Sequence, residues 1–209
     1  WMGYQTLNRV EKIRSRDDVV IDYLLTHIDE DFINEILSHK KDDLGDGTIV
    51  TPTGRVNRRS NITWLEHPIG GPGGSGTESI TQQIFRMVED INKDRWQCDI
   101  DTIEPLQYSE YPVGGEYGWH QDILAKPYSD GKIRKVTFSI LLNDDYTGGE
   151  FDLEVYGPGH EQDGKRYITF AAQETKQNVL FFESNMWHRV RPVKSGVRKS
   201  LVGWSLGPA

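Results

Sequence analysis

A single cysteine, Cys98, stands among 209 residues, which excludes an intrachain disulfide framework. It reads as a small buried or half-buried apolar residue. No run of apolar residues is long enough to span a membrane, and no apolar signal region opens the chain, so no membrane association is expected and a reducing, cytoplasmic setting is. Basic residues are in deficit, 24 against 32 acidic, for a formal charge of -8. A field of that sign repels phosphate backbones, so duplex nucleic acid is not an expected partner. The cluster Arg55, Arg58 and Arg59 is the local exception. There are no internal repeats and no low-complexity tracts beyond one glycine-rich loop.

The chain has enough hydrophobic residues, 36%, and aromatics, 11%, for a packed core, and its length suits one domain over residues 1–209. Residues 1–18 are polar and read as an arm or edge strand. Val19 to Leu25 reads as a short strand. Asp29 to Leu37 reads as a helix with acids in its first turn and Phe32, Ile33, Ile36 and Leu37 on one stripe. Gly45 to Gly54 is turn-rich, and Arg59 to Leu65 reads as a strand. Pro68 to Gly76 holds five glycines and two prolines and reads as a loop fit to act as a lid. Ser79 to about Asp94 reads as a second helix, with Ser79 and Gln82 forming a capping box.

After Trp96 the texture changes to short β segments. Strands are expected near 104–111, 117–123, 134–142, 150–155, 166–170, 178–182, 187–192 and 199–205, with turns at Gly148-Gly149 and Gly157-Pro158-Gly159. Even spacing of short strands predicts a mainly β fold with N-terminal helices (α+β). Its core would be a double-stranded β-helix, or jelly roll. Residues 1–98 would support a core formed by 99–209.

The chemistry gathers around Tyr117-Gly118-Trp119-His120-Gln121-Asp122. On an extended segment His120 and Asp122 share a face. Two ligands do not hold a metal, and His188, in Met186-Trp187-His188-Arg189, is the best third. Two histidines and one carboxylate with the remaining positions open form the facial triad of non-haem Fe(II) oxygenases. Downstream, Arg198 and Ser200 share a strand face. A guanidinium fork matches a carboxylate and a hydroxyl adds a donor, so this strand could hold the far end of a small diacid whose near end lies on the metal.

Several segments carry a family resemblance. They are Tyr111-Pro112-Val113-Gly114-Gly115-Glu116 leading into Tyr117 to Asp122, and Leu142-Asn143-Asp144 through Gly148-Gly149-Glu150-Phe151. Val179-Leu180-Phe181-Phe182 follows, then His188-Arg189-Val190-Arg191-Pro192-Val193 through Gly196-Val197-Arg198. Together they resemble the Fe(II)- and 2-oxoglutarate-dependent dioxygenases over roughly residues 60–206, in particular the prolyl 4-hydroxylase-like and PKHD-type hydroxylase branch. The resemblance implies that His120, Asp122 and His188 are iron ligands, and that Arg198 pairs with the distal carboxylate of 2-oxoglutarate with Ser200 beside it. It also implies that Tyr111 reaches the same co-substrate. Some relatives place a tyrosine where Leu141 stands, so the second carboxylate partner would be Ser200, Ser139 or Thr137.

The implied activity is hydroxylation of an unactivated C–H bond with Fe(II), 2-oxoglutarate and O2, releasing succinate and CO2, with ascorbate as an accessory reductant. By resemblance the first substrate is a peptidyl prolyl residue. A free amino acid or other small molecule is the alternative, and the partner is accordingly a peptide or small molecule. A base-repair demethylase is disfavoured by the charge. A non-catalytic cupin-like jelly-roll module would leave Arg198 and Ser200 unexplained. His67 and His160 read as loop histidines and His27 and His39 as surface ones. Trp119 and Trp187, adjacent to the ligands, point away from the metal by alternation. Arg58, Arg59, Trp64 and the glycine loop would build the pocket mouth.

Overall fold

A computed structural model describes residues 23–65, 79–123, 125–154, 161–162 and 165–209. The expected arm 1–18, the glycine loop 68–76, His67, His160 and the 157–159 turn lie outside the described residues.

Two antiparallel sheets face each other. The larger runs in the order Tyr23–His27, Asn178–Glu183, Lys132–Leu141, Arg198–Pro208, Leu106–Tyr111, Asn61–Leu65, Gly45–Asp46. The smaller runs Glu161–Gln162, Lys165–Phe170, Phe151–Glu154, His188–Val190, Glu116–His120, Val56–Arg59, Ile49–Val50. All eight strands expected after residue 96 form, within a few residues of their expected limits. Sequence-distant strands pair, Arg198–Pro208 lying between Leu106–Tyr111 and Lys132–Leu141, as a jelly roll requires.

Alternation on these strands makes two apolar layers. Leu106, Tyr108, Val136, Phe138, Ile140, Val179, Phe181 and Leu201 pack outward against helices α1 (Glu30–Ser38) and α2 (Ile80–Asp94) through Phe32, Ile33, Ile36, Ile84 and Val88. The residues between them point inward, where Phe151, Leu153, Phe170, Leu180, Phe182 and Val190 join the sheets. Both helices start on side-chain caps. Asp29 accepts from the Phe32 N–H, and Ser79 with Gln82 forms the expected reciprocal box.

Three local features depart from the sequence reading. The strand expected over 59–65 breaks at Ser60, so Val56–Arg59 belongs to the small sheet and Asn61–Leu65 to the large one. The turn-rich stretch 45–54 contains two short strands. Gly148-Gly149 is more than a turn, because Thr147–Gly148 pairs with Val193–Ser195 and both glycines have positive φ, 72° and 64°.

Gly203 sits in the central strand where a Cβ would collide with the buried Phe138 ring and lie 2.9 Å from Leu106 Cδ2. Gly203→Ala should therefore overpack the helix-facing layer and cost about 1–3 kcal/mol. That loss is read as a fall of roughly 2–4 °C per kcal/mol in the melting midpoint. An unchanged midpoint would refute this packing.

Candidate active site

His120 ends the strand Glu116–His120 and pairs in register with His188 at the start of His188–Val190. The register slips between these strands, with Tyr117 opposite Val190. That irregularity, of the kind that re-aims side chains near active sites, lets Tyr117 and His120 both face inward. Their rings stack at 3.4 Å. Asp122 lies just past the strand, held by two backbone N–H groups, its own and that of Ile123, donating to the Ser184 carbonyl at 2.9 Å.

His120 and Asp122, two residues apart, and the sequence-distant His188 converge between the sheets. His120 Nε2 is 3.8 Å from Asp122 Oδ1, and His188 Nε2 is 3.3 Å from Asp122 Oδ2. One ligand atom from each lies within 4.8 Å of the others. Asp122 and His188 are buried, 7% and 4% exposed. Each imidazole Nδ1 meets a carbonyl, Gly118 O at 2.8 Å for His120 and Met186 O at 3.0 Å for His188. With Nδ1–H donating there, both Nε2 lone pairs aim at the shared point, as metal-ligating histidines require. Burial pushes the His120 pKa down to about 3, keeping that ring neutral. Burial alone would raise the Asp122 pKa, but its neighbours acting together, His188 first and then His120, outweigh that and hold it below the usual carboxylate range. The Thr137 hydroxyl donates to Asp122 Oδ2 at 2.9 Å and lies 3.0 Å from Ser184 Oγ. Two imidazole nitrogens and one carboxylate oxygen suit a divalent ion such as Fe(II).

A cavity of about 210 Å³ opens beside the triad. Arg198 lines it, 4% exposed. Its Nε donates to Gly149 O and its Nη1 to Ser200 Oγ, both at 3.0 Å, and its guanidinium lies 5.5 Å from the Tyr111 ring centre. Among the described residues no carboxylate pairs with it. Gly149 must be small here, since a Cβ would lie 3.0 Å from Arg198 Cδ. Tyr111, Ser200, Ser139 and Thr137 also line the cavity. Thr137 is engaged with Asp122, which leaves Ser200 and Ser139 as the hydroxyls nearest the role expected of them. Leu141 lies instead in a separate buried cluster with Tyr146 and Ala172. Tyr146, which packs with Arg198 around Gly149, was not singled out in the sequence. Its only signal was its place just before Gly148-Gly149.

Of the residues expected at the mouth, Trp64 is 39% exposed and lines the cavity, while Arg59 is exposed and does not. Arg58 lies deeper than expected, 5% exposed in the cavity wall. Arg134 and Trp204, neither singled out in the sequence, complete that wall, Arg134 stacking 3.8 Å from the Trp204 ring. Trp119 points away as expected, onto the outer face of the small sheet beside Tyr167 and Arg189.

The family described as the 2OG-Fe(II) oxygenase superfamily matches residues 106–206. A PKHD-type hydroxylase of Synechococcus sp. (strain CC9902) is 32% identical over 107 residues, 50% of this chain and 42% of that protein. The chain thus spans less than half the length of this curated relative. Among solved structures, a Pseudomonas putida prolyl-4-hydroxylase aligns with a TM-score of 0.59 at 17% identity, covering 90% of this chain and 94% of its own. A viral collagen prolyl hydroxylase from Paramecium Bursaria Chlorella virus-1, solved as a 2OG complex, aligns at 0.58 and 17%, covering 88% and 96%. At these identities the two structures speak for the fold.

Proposed function

We propose that this chain, which belongs to the 2OG-Fe(II) oxygenase superfamily across residues 106–206, hydroxylates an unactivated C–H bond of a bound peptide or small molecule. The observation that carries the proposal is the pairing, in one cavity, of the His120–Asp122–His188 cluster with a buried Arg198 that pairs with no carboxylate among the described residues.

In this reading His120, Asp122 and His188 hold Fe(II), and Arg198 with Ser200 receives the distal carboxylate of 2-oxoglutarate. When bound, Fe(II), 2-oxoglutarate and O2 supply the oxidising chemistry, in which 2-oxoglutarate, O2 and R–H become succinate, CO2 and R–OH. The protein's part is position and dryness. Thr137 fixes the Asp122 carboxylate. Phe151 and Phe182 wall His188 at 5.5 and 4.9 Å and keep bulk water from it. Tyr111 lies beside the Arg198 end of the cavity and is placed to touch the co-substrate. Ascorbate would serve to keep the metal ferrous. We read the chain as one domain acting in the cytoplasm, residues 1–98 supporting the core at 99–209.

The names of the relatives make a peptidyl prolyl residue the first substrate to test. The assay is succinate formation from 2-oxoglutarate after anaerobic Fe(II) loading and admission of O2, with and without proline-containing peptides. Slow succinate release without peptide is expected, and a several-fold rise with the right one. If no Fe(II) binds and no succinate forms, the oxygenase reading falls.

A further inference from the structure

Three arginines line the cavity: Arg58, Arg134 and Arg198. Arg134 is matched, its Nε and Nη2 each 2.7 Å from one oxygen of Glu104. Arg198 is taken by the co-substrate in the reading above. Arg58 is left over. It is 5% exposed, and its hydrogen-bond partners are all neutral: Ser60 Oγ at 2.7 Å, Gln107 Oε1 at 3.4 Å and Ser109 Oγ at 3.1 Å. Among the described residues no carboxylate pairs with it.

A guanidinium has five N–H donors, so these three bonds leave one N–H on each terminal nitrogen. A cross-link between the sheets needs hydrogen bonds but not a charge, and a buried charge without a counter-ion is strongly unfavourable. Set the carboxylates of Asp122 and 2-oxoglutarate against Fe(II), Arg198 and Arg58, and one positive charge remains. The position matters as well. The Arg58 guanidinium lies 5.0 Å from the centre of the Tyr117 ring, and that ring stacks on the ligand His120. A group held by Arg58 is therefore only one ring away from a metal ligand.

We infer that Arg58 binds a carboxylate of the substrate itself, close to the C–H bond that reacts. This rests on the oxygenase reading and narrows it to acidic substrates. The carboxylate is either the terminus of a small free acid or an acidic side chain in a peptide.

The test uses protein loaded with Zn(II), a redox-inert stand-in, and saturating 2-oxoglutarate, with dissociation constants measured by calorimetry. One arm pairs N-acetylated L-amino acids, proline included, as free acids and as carboxamides. The other pairs N-acetylated, amidated Gly-Pro-Asp and Gly-Pro-Asn peptides. At least one acid is expected to bind ten-fold or more tightly than its neutral partner, and the arm in which this occurs identifies the source of the carboxylate. Arg58→Gln should erase that ratio and Arg58→Lys restore part of it, with 2-oxoglutarate affinity unchanged in both. Equal binding of acids and neutral partners, or none, overturns the inference, and so does an Arg58→Gln protein that loses 2-oxoglutarate affinity. The wild-type ratio decides the matter even if Arg58→Gln does not fold. Failure of the oxygenase reading shows separately, as wild-type protein that does not bind 2-oxoglutarate.

Discussion

Asp122→Ala is expected to abolish 2-oxoglutarate-dependent succinate formation and to weaken Fe(II) binding by more than roughly 100-fold. Removing a residue that merely orients a metal ligand costs about 10- to 100-fold, and in the proposed site Asp122 is the anionic ligand itself. Its two oxygens face the two Nε2 atoms at 3.8 and 3.3 Å, so no other described side chain in the cluster supplies negative charge to the cation. The fold should survive. The turn carrying Asp122 is fixed by backbone bonds to the Ser184 carbonyl, which the substitution leaves in place. Anaerobic Fe(II) titration, succinate release and a melting curve on one preparation test the claim. A variant that binds Fe(II) like wild type sinks the triad assignment. One that unfolds shows the carboxylate to be structural instead.

Why these residues could be picked out in advance is a matter of period. Strands alternate with a period of two, so inward residues such as Arg198, Ser200, Val202 and Trp204, all of which line the cavity, could be paired by counting. The helices were legible for similar reasons, through the Ser79–Gln82 box and the stripe Phe32, Ile33 and Ile36. Counting fails where the period slips. Tyr117 and His120 both face inward because the register shifts opposite His188–Val190. Lys132–Leu141 also slips, between Ser205 and Leu206 of its partner strand, so both Arg134 and Thr137 reach the cavity. Neither shift has a local sequence signature. Arg58 was expected at the pocket mouth, and its depth in the wall went unforeseen for a different reason. Its burial depends on the chain changing sheets at Ser60, which places its side chain against Gln107 and Ser109, about fifty residues away. A short Arg-Arg-Ser stretch looks like an exposed strand edge until that crossing is known.

Arg198→Ala should separate the co-substrate from the metal. A guanidinium buried to 4% exposure that takes a carboxylate forms a charge-assisted pair away from water. Breaking such a pair by removing one partner costs about 3–5 kcal/mol, which corresponds to a loss of 2-oxoglutarate affinity of roughly 150- to 4,000-fold. Fe(II) binding should stay within about two-fold of wild type, because no ligand atom has changed. Arg198→Lys keeps the charge but not the fork, so its loss should be smaller, on the order of ten-fold. Ser200→Ala removes one neutral hydrogen bond, worth about 0.5–1.5 kcal/mol. The order Ala, then Lys, then the Ser200 change is the signature of a carboxylate site, read as KM for 2-oxoglutarate and as dissociation constants by anaerobic titration. Two controls guard it. Arg198 also holds the Gly149 carbonyl, so a melting curve must show that the Thr147–Gly148 pairing with Val193–Ser195 persists. Arg58 lines the same cavity, and if Arg58→Gln gave the larger loss of 2-oxoglutarate affinity, the two arginines would have to exchange roles. An Arg198→Ala protein with wild-type KM would leave the cavity without its assigned co-substrate anchor.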